Sequence, residues 1–247
     1  MLRDTNIVVT GANRGIGKAV LYKLASEGAN IWACSRNKSD EFEDELKELA
    51  KKTNTIIEPI YFDLTNEDEI KTSVKEIVKS KRPVDGLVNN AGIAIYNKFQ
   101  FMKIDEIKSI FENNYFSTLY FTQLLMRRMT KNTGSIVFLS SVAGFLPEVG
   151  NIAYGGSKAA ISHVVKILAK ELAPDGIRVN AVAPGLVNTD MKKQADSETW
   201  KNMVSKTMLK RESEPEEIAN VIAFLLSDQA SYITSQTIHV DGGMFVS

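Results

Sequence analysis

Short β-branched runs alternate along the chain with segments whose apolar residues recur every three or four positions. "NIVVT" at 6–10 precedes a segment running to Gly28 in which Ile16, Val20 and Leu24 repeat at intervals of four. "IWACS" precedes "SDEFEDELKELAKK", where Phe42, Leu46 and Leu49 form one stripe and Ser39 or Asp40 serves as the cap. "TIIEPIYF" leads into "TNEDEIKTSVKEIVKS", with Ile70, Val74, Ile77 and Val78 on one face. "VDGLVNN", "SIVFLSS" and "IRVNAVA" are further strands, each bounded by Gly, Pro or Asn. "SEPEE" starts a last helix, with Ser213 expected as its cap and Pro215 in the first turn, and "QTIHVDGG" closes the pattern as a short strand. This alternation predicts an α/β fold with one parallel sheet of about seven strands, covered by helices on both faces. No repeat, low-complexity tract or Pro/Ser linker divides the chain, so one domain over 1–247 is expected.

The small and polar residues gather where such a sheet binds ligands, at the carboxyl ends of its strands. "TGANRGIG" follows the first strand, "CSRN" the second, "DLT" the third, "NNAG" the fourth, "SSVAG" the fifth and "PGLVNTDM" the sixth. Gly11, Gly15 and Gly17 stand between a strand and a helix, where absent side chains let the backbone approach a pyrophosphate at the helix N-terminus. Their spacing is G-x-x-x-G-x-G rather than the general G-x-G-x-x-G, and the context points to a dinucleotide. An NAD site would carry an acid at the end of the second strand; this chain has Ser35 and Arg36 there, and Arg14 in the glycine turn. A guanidinium grips a 2′-phosphate that a carboxylate would repel, which favours NADP(H) over NAD(H). The plainer reading of Arg36 is a solvated loop arginine. Asp63 falls at the adenine end, where an ordinary helix cap is the competing role.

Composition narrows the partners. Thirty basic and thirty acidic residues cancel, which argues against general attraction to nucleic acid or an anionic membrane. A single cysteine, Cys34, rules out a disulfide framework and suits a reducing cytoplasm. The N-terminus lacks the apolar run of a signal peptide, and runs such as "SIVFLSSVAGFL" are too short to span a bilayer, so a cytoplasmic protein is expected. His163 and His239 have no clustered metal-type partners in sequence, and no metal site is expected.

"TGANRGIG", "DLT", "NNAG", "SSVAG", Tyr154-x-x-x-Lys158, "PGLVNTD" and "VDGG", in that order, resemble the short-chain dehydrogenase/reductase family over the whole chain. The resemblance implies a Rossmann-type doubly wound sheet and a catalytic tetrad of Asn114, Ser141, Tyr154 and Lys158. Asn113 and Ser140 adjoin two of these and compete for the same roles. It also implies cofactor contacts from Gly11, Asn13, Arg14, Gly15, Ile16 and Gly17, from Ser35, Arg36, Asp63 and Leu64, from Asn90, Ala91 and Gly92, from Tyr154 and Lys158, and from Pro184, Gly185, Val187 and Thr189. The chemistry suits these residue types. Ketone reduction needs a proton for the oxygen, and a phenol with an ordinary pKa of about 10 supplies one if a neighbouring ammonium stabilises the phenolate. Ser141 would hydrogen-bond the carbonyl, and Asn114 would hold a water that reconnects Lys158 to solvent.

Within the family the likeness is greatest to 3-oxoacyl-[acyl-carrier-protein] reductases, which implies an acyl-thioester ketone and an acyl carrier protein as partner. Those proteins carry basic residues in the loops before strands five and six; here Asn132 and Asp175 stand in their place, with Lys131, Arg127 and Arg128 nearby. A sugar, polyol or other small ketone is the alternative substrate. The segment at about 188–212, with Met191, Trp200, Met203 and Met208, matches the family's mobile lid, against the plainer reading of a surface helix pair. A homotetramer or homodimer packed through helices near 103–130 and 154–172 is implied as well. Two other classes compete. A serine hydrolase would use Ser157 in "YGGSK", but Ala159 stands where its turn needs glycine. A non-catalytic nucleotide-binding module would have no need of both Tyr154 and Lys158.

Overall fold

The computed structural model of the protein describes residues 1–194 and 197–245, with the side chains of 193, 194 and 197 outside that description. Its strands are β1 (Asn6–Thr10), β2 (Asn30–Ser35), β3 (Ile57–Tyr61), β4 (Gly86–Asn89), β5 (Ser135–Leu139), β6 (Arg178–Pro184) and β7 (Thr237–Val240). Its α-helices are α1 (Gly15–Ser26), α2 (Asp40–Thr53), α3 (Glu67–Lys79), α4 (Ile104–Phe111), α5 (Ser117–Met126), α6 (Ile152–Leu172), α7 (Ser197–Lys206) and α8 (Pro215–Leu226). All strands are parallel in the order β3-β2-β1-β4-β5-β6-β7. The chain therefore builds outward from β1 in one direction and, from β4 on, in the other. The reversal leaves a crevice at the carboxyl ends of β1 and β4.

Side chains along each strand alternate between two cores. Ile7, Val9, Ile31, Ala33, Val137 and Leu139 pack with the apolar stripes of α1, α2 and α8. Val8, Trp32, Cys34, Ile136 and Phe138 pack with those of α3, α5 and α6. Burial on both faces explains why β1 and β5 are buried along their whole length and are written as continuous apolar runs. Pro59 interrupts β3 without harm because β3 is an edge strand, where a missing N–H donor leaves no neighbour unpaired.

The helix starts resolve the capping expectations. Ser39, not Asp40, caps α2 by accepting from the Phe42 N–H at 3.3 Å. At α8 the expected Ser213 is displaced by one residue: Glu214 is the N-cap and the Glu217 carboxylate accepts from its N–H. Ser213 is instead occupied with Leu186, to which both its N–H and its hydroxyl donate. Among the described residues no helix is long and apolar enough to cross a membrane.

Candidate active site

Thr10, at the end of β1, holds the crevice together. Its hydroxyl accepts from the N–H groups of Asn90 and Ala91, each at 3.0 Å, and donates to the Val88 carbonyl. The Asn90 amide donates in turn to the carbonyls of Thr10 and Gly11. The "NNAG" segment is thus stitched to the glycine turn, and the Asn90 side chain braces that turn rather than standing free for a ligand. A threonine ending a strand gives no signal of its own in the sequence, so the role of Thr10 emerges only in the fold.

Two glycines in the turn are required by geometry. Gly11 has φ +66°, a region that side chains disfavour, and a Cβ on Gly17 would lie 2.0 Å from the Gly11 carbonyl oxygen. Asn13 and Arg14 are exposed above the turn and Ile16 is half-buried beneath it. A Cβ on Gly15 would meet the Thr189 methyl at 3.4 Å, so the loop after β6 overhangs the glycines. In that loop Gly185 donates to the Val240 carbonyl, and Val187 is buried. Pro184 ends β6 and pairs in register with Val240.

At the other end of the crevice Ser35 is buried with its hydroxyl on the Asn37 carbonyl. Arg36 is exposed and pairs with Asp63 at 3.5 Å. The Asp63 carboxylate also accepts the N–H and hydroxyl of Thr65, and these bonds, with Arg36, hold its pKa below the usual carboxylate range. Leu64 packs on the α3–α5–α6 core.

Tyr154 and Lys158 face the crevice from the first turns of α6, both buried. Lys158 Nζ donates to the Leu139 carbonyl at 2.6 Å and lies 5.8 Å from the Tyr154 ring centroid. Gly92 makes room for it, since a Cβ there would stand 3.6 Å from Nζ and 3.1 Å from Asn114 Oδ1. Burial lowers the Lys158 pKa to about 8. Burial also holds the Tyr154 phenol above its ordinary pKa, and a hydrogen bond with Ser141 works in the opposite direction. Ser140, the rival of Ser141, is turned away, bonded to the Lys158 carbonyl and the Ser162 hydroxyl on α6.

Asn114 sits in a π-helical turn, Glu112–Phe116, between α4 and α5, closed where the Ser117 N–H reaches Glu112. The extra residue in this turn was not legible in the sequence; such turns gather at functional sites. Asn114 is buried, its Oδ1 accepting from the Ile93 N–H at 2.8 Å and its amide donating to the Ile93 carbonyl and the Ser157 hydroxyl. Both amide hydrogens are committed, so the side chain keeps only the second lone pair of Oδ1 for a water. Asn113 is only half-buried and bonds within its own helix, to the Ser109 carbonyl.

Ser157 is fully buried and donates to the Tyr154 carbonyl at 2.7 Å. It links Asn114 to the tyrosine turn, and it is no exposed nucleophile. The Cys34 thiol is buried and its pKa is raised by that burial. His163 is exposed, and His239 is packed between the rings of Phe145 and Phe245.

The segment after Val187 leaves and rejoins the body at one neck, where Asn188 N–H donates to Ser213 and Ser213 N–H to Leu186. The Glu212 carboxylate accepts from Lys192 and from the Trp200 indole. The lid expected at 188–212 lies in part, at 195–196, outside the described residues. The loops bearing Asn132 and Asp175 are at the amino ends of β5 and β6, the edge of the sheet opposite the crevice. Lys131 pairs there with Asp175 at 2.8 Å.

A family model described as enoyl-(acyl carrier protein) reductase matches residues 11–245. The chain is 38% identical over 247 residues to the 3-oxoacyl-[acyl-carrier-protein] reductase FabG of Staphylococcus epidermidis, covering 98% of this chain and 100% of that one. It is 39% identical to the FabG of Aquifex aeolicus over 96% of each. Among solved structures, a short-chain dehydrogenase/reductase from Serratia marcescens superposes with a TM-score of 0.92 at 30% identity, and a short-chain dehydrogenase from Burkholderia cenocepacia in complex with NADP does so with 0.92 at 26%, each over 98% of both chains. With a family model matching nearly the whole chain and relatives above 30% identity over its full length, the chain belongs to the short-chain dehydrogenase/reductase family of oxidoreductases.

Proposed function

We propose that this protein is an NADPH-dependent reductase that converts a ketone into a secondary alcohol, with a 3-oxoacyl thioester as its substrate. The observation that carries the reading is the buried pairing of Tyr154 and Lys158 on one helix face, with Ser141 beside the phenol. The residues fit a nicotinamide dinucleotide. Gly11 and Gly17 form a cradle that side chains would fill, and Arg14 and Arg36 suit a 2′-phosphate at its rim. When bound, the cofactor supplies the hydride for the carbonyl carbon.

The chain's own groups handle the oxygen. A phenol whose pKa is raised is protonated at neutral pH, so Tyr154 is ready to give its proton to the carbonyl oxygen. Ser141 donates to the same oxygen while negative charge grows on it, a contact of the kind worth about 100-fold or more in rate. The phenolate left behind would be costly in a buried site, and the Lys158 ammonium is the charge that offsets it. Asn114 and Ser157 hold the tyrosine turn in register with that ammonium, and a water on Asn114 Oδ1 is the route by which Lys158 regains contact with solvent. Tyr154→Phe tests the reading: NADPH oxidation with acetoacetyl-CoA should be abolished while NADPH binding persists. Undiminished turnover would sink it, and an acyl-enzyme trapped on Ser157 of the wild type and absent from Ser157→Ala would restore the hydrolase.

A second reading, a reductase of free small carbonyls with no carrier, is favoured by one observation. The Lys131–Asp175 pair cancels charge in the two loops where an acidic carrier would find cations. Equal kcat/KM for carrier-bound and CoA-bound acetoacetyl groups would select it. Homotetramer or homodimer formation is supported by exposed apolar side chains on the helices in question, namely Ile104, Phe116 and Ile167, and is measured by light scattering.

A further inference from the structure

The loop from Gly92 to Met102 turns one aromatic ring toward the reacting phenol. Ile93 and Ile95 pack with Met102, Ile107, Ile110 and Ala153, which anchors the loop against α4 and the start of α6. Two residues beyond Ile95 the backbone is pinned again, because the Asn97 N–H donates to the Gly150 carbonyl at 3.0 Å. Tyr96 lies between these two fixed points. Its ring meets that of Tyr154 edge to face, with centroids 5.9 Å apart. Tyr154 is 8% exposed, whereas Tyr96, which packs against it, keeps 44% of its surface open to solvent.

We propose that Tyr96 is a specificity-determining residue whose ring is the wall for the carbonyl's larger substituent, selecting an apolar substituent over a polyhydroxylated one. The proposal rests on the reductase reading above and sharpens its substrate class. A carbonyl oxygen that receives the Tyr154 proton must sit at that phenol, so one substituent of the carbonyl lies against whatever flanks the phenol. An alkyl chain gains contact with an aromatic ring there. A sugar hydroxyl pressed on the same ring would lose its water without finding a partner, which disfavours it. The opposite side of the Asn97–Gly150 contact carries further exposed apolar residues, Val149 and Ile152.

The test uses the full-length enzyme with two probes, ethyl 3-oxohexanoate and dihydroxyacetone. Tyr96→Ala should raise KM for the oxo-ester about ten-fold, the scale of a lost aromatic contact, while kcat and the dihydroxyacetone kinetics stay near wild type. Tyr96→Phe, which keeps the ring, should restore the wild-type preference between the probes. Equal losses on both probes, or a Phe variant as impaired as the Ala variant, would overturn the proposal. A calorimetric arm needs no turnover: in a Tyr154→Phe background, Tyr96→Ala should weaken oxo-ester binding by a similar factor. Unchanged binding there refutes the role of Tyr96, whereas failure of the wild type to reduce either probe refutes the reductase reading alone.

Discussion

The Lys158 ammonium is held between a carbonyl and a ring: Nζ donates to Leu139 at 2.6 Å and stands 5.8 Å from the centroid of Tyr154. Burial drops its pKa to about 8 from an ordinary 10.5. The folded protein therefore binds fewer protons at this site than the unfolded chain between those two values, and stability rises with pH across that window. Below about pH 8 the charged lysine weakens the fold. Lys158→Met should stabilise the protein at pH 7 by on the order of 2 kcal/mol and flatten the rise from pH 8 to 10, while eliminating turnover. Urea titrations at pH 7 and pH 10 measure this; a Met variant less stable than wild type at pH 7 contradicts the account.

Thr10→Val removes the acceptor for two backbone N–H groups at the crevice without changing side-chain volume much. Leaving Asn90 and Ala91 unpaired should cost about 2 kcal/mol of stability. NADPH affinity should fall as well, since the same bonds hold the glycine turn against "NNAG". Stability loss with unchanged affinity would separate the two elements.

Arg36 and Asp63 form a partly exposed pair, and pairs of this kind contribute about 0.5 kcal/mol or less. Arg36→Ala should leave the unfolding midpoint nearly unmoved but weaken NADPH binding about ten-fold, with NADH binding unaffected. Fluorescence titration with both cofactors decides it. An equal loss for the two would assign Arg36 to general charge, not to the 2′-phosphate.

Gly17 and Gly92 should respond differently to alanine. At Gly17 the new Cβ meets a backbone oxygen at 2.0 Å, which no rotamer relieves, so the turn and cofactor binding should be lost together. At Gly92 the nearest atom is the Asn114 carboxamide oxygen at 3.1 Å, which has to give by a few tenths of an ångström. Gly92→Ala should lower kcat about ten-fold through Asn114 and Lys158 while NADPH affinity holds. Loss of affinity as the main effect would place Gly92 with the turn instead.

The rival assignments around Ser141 and Asn114 show where the sequence stopped. "LSSV" offers two adjacent serines and "ENNY" two adjacent asparagines, of the same chemistry. At the end of β5 one of a pair of neighbouring hydroxyls turns into α6, and that is Ser140, bonded to Lys158 and Ser162. For the asparagines the π-turn decides, burying Asn114 and leaving Asn113 half-buried on a bond to its own helix. A one-residue slip in helical phase has no compositional signature.

The alternation of strands and helices, the convergence of small polar clusters on one edge and the four-residue spacing of Tyr154 and Lys158 were all determined by sequence alone. Each follows from a period of two or 3.6, which local chain geometry dictates. The roles of Thr10, Ser157 and Tyr96 were decided only in the folded molecule. Thr10 is eighty residues from Asn90, Ser157 forty-three from Asn114, and the Tyr96 ring is set by a bond from its neighbour to Gly150. Hydrogen bonds and ring contacts of that reach depend on where two distant backbones meet, and no local pattern encodes the meeting point.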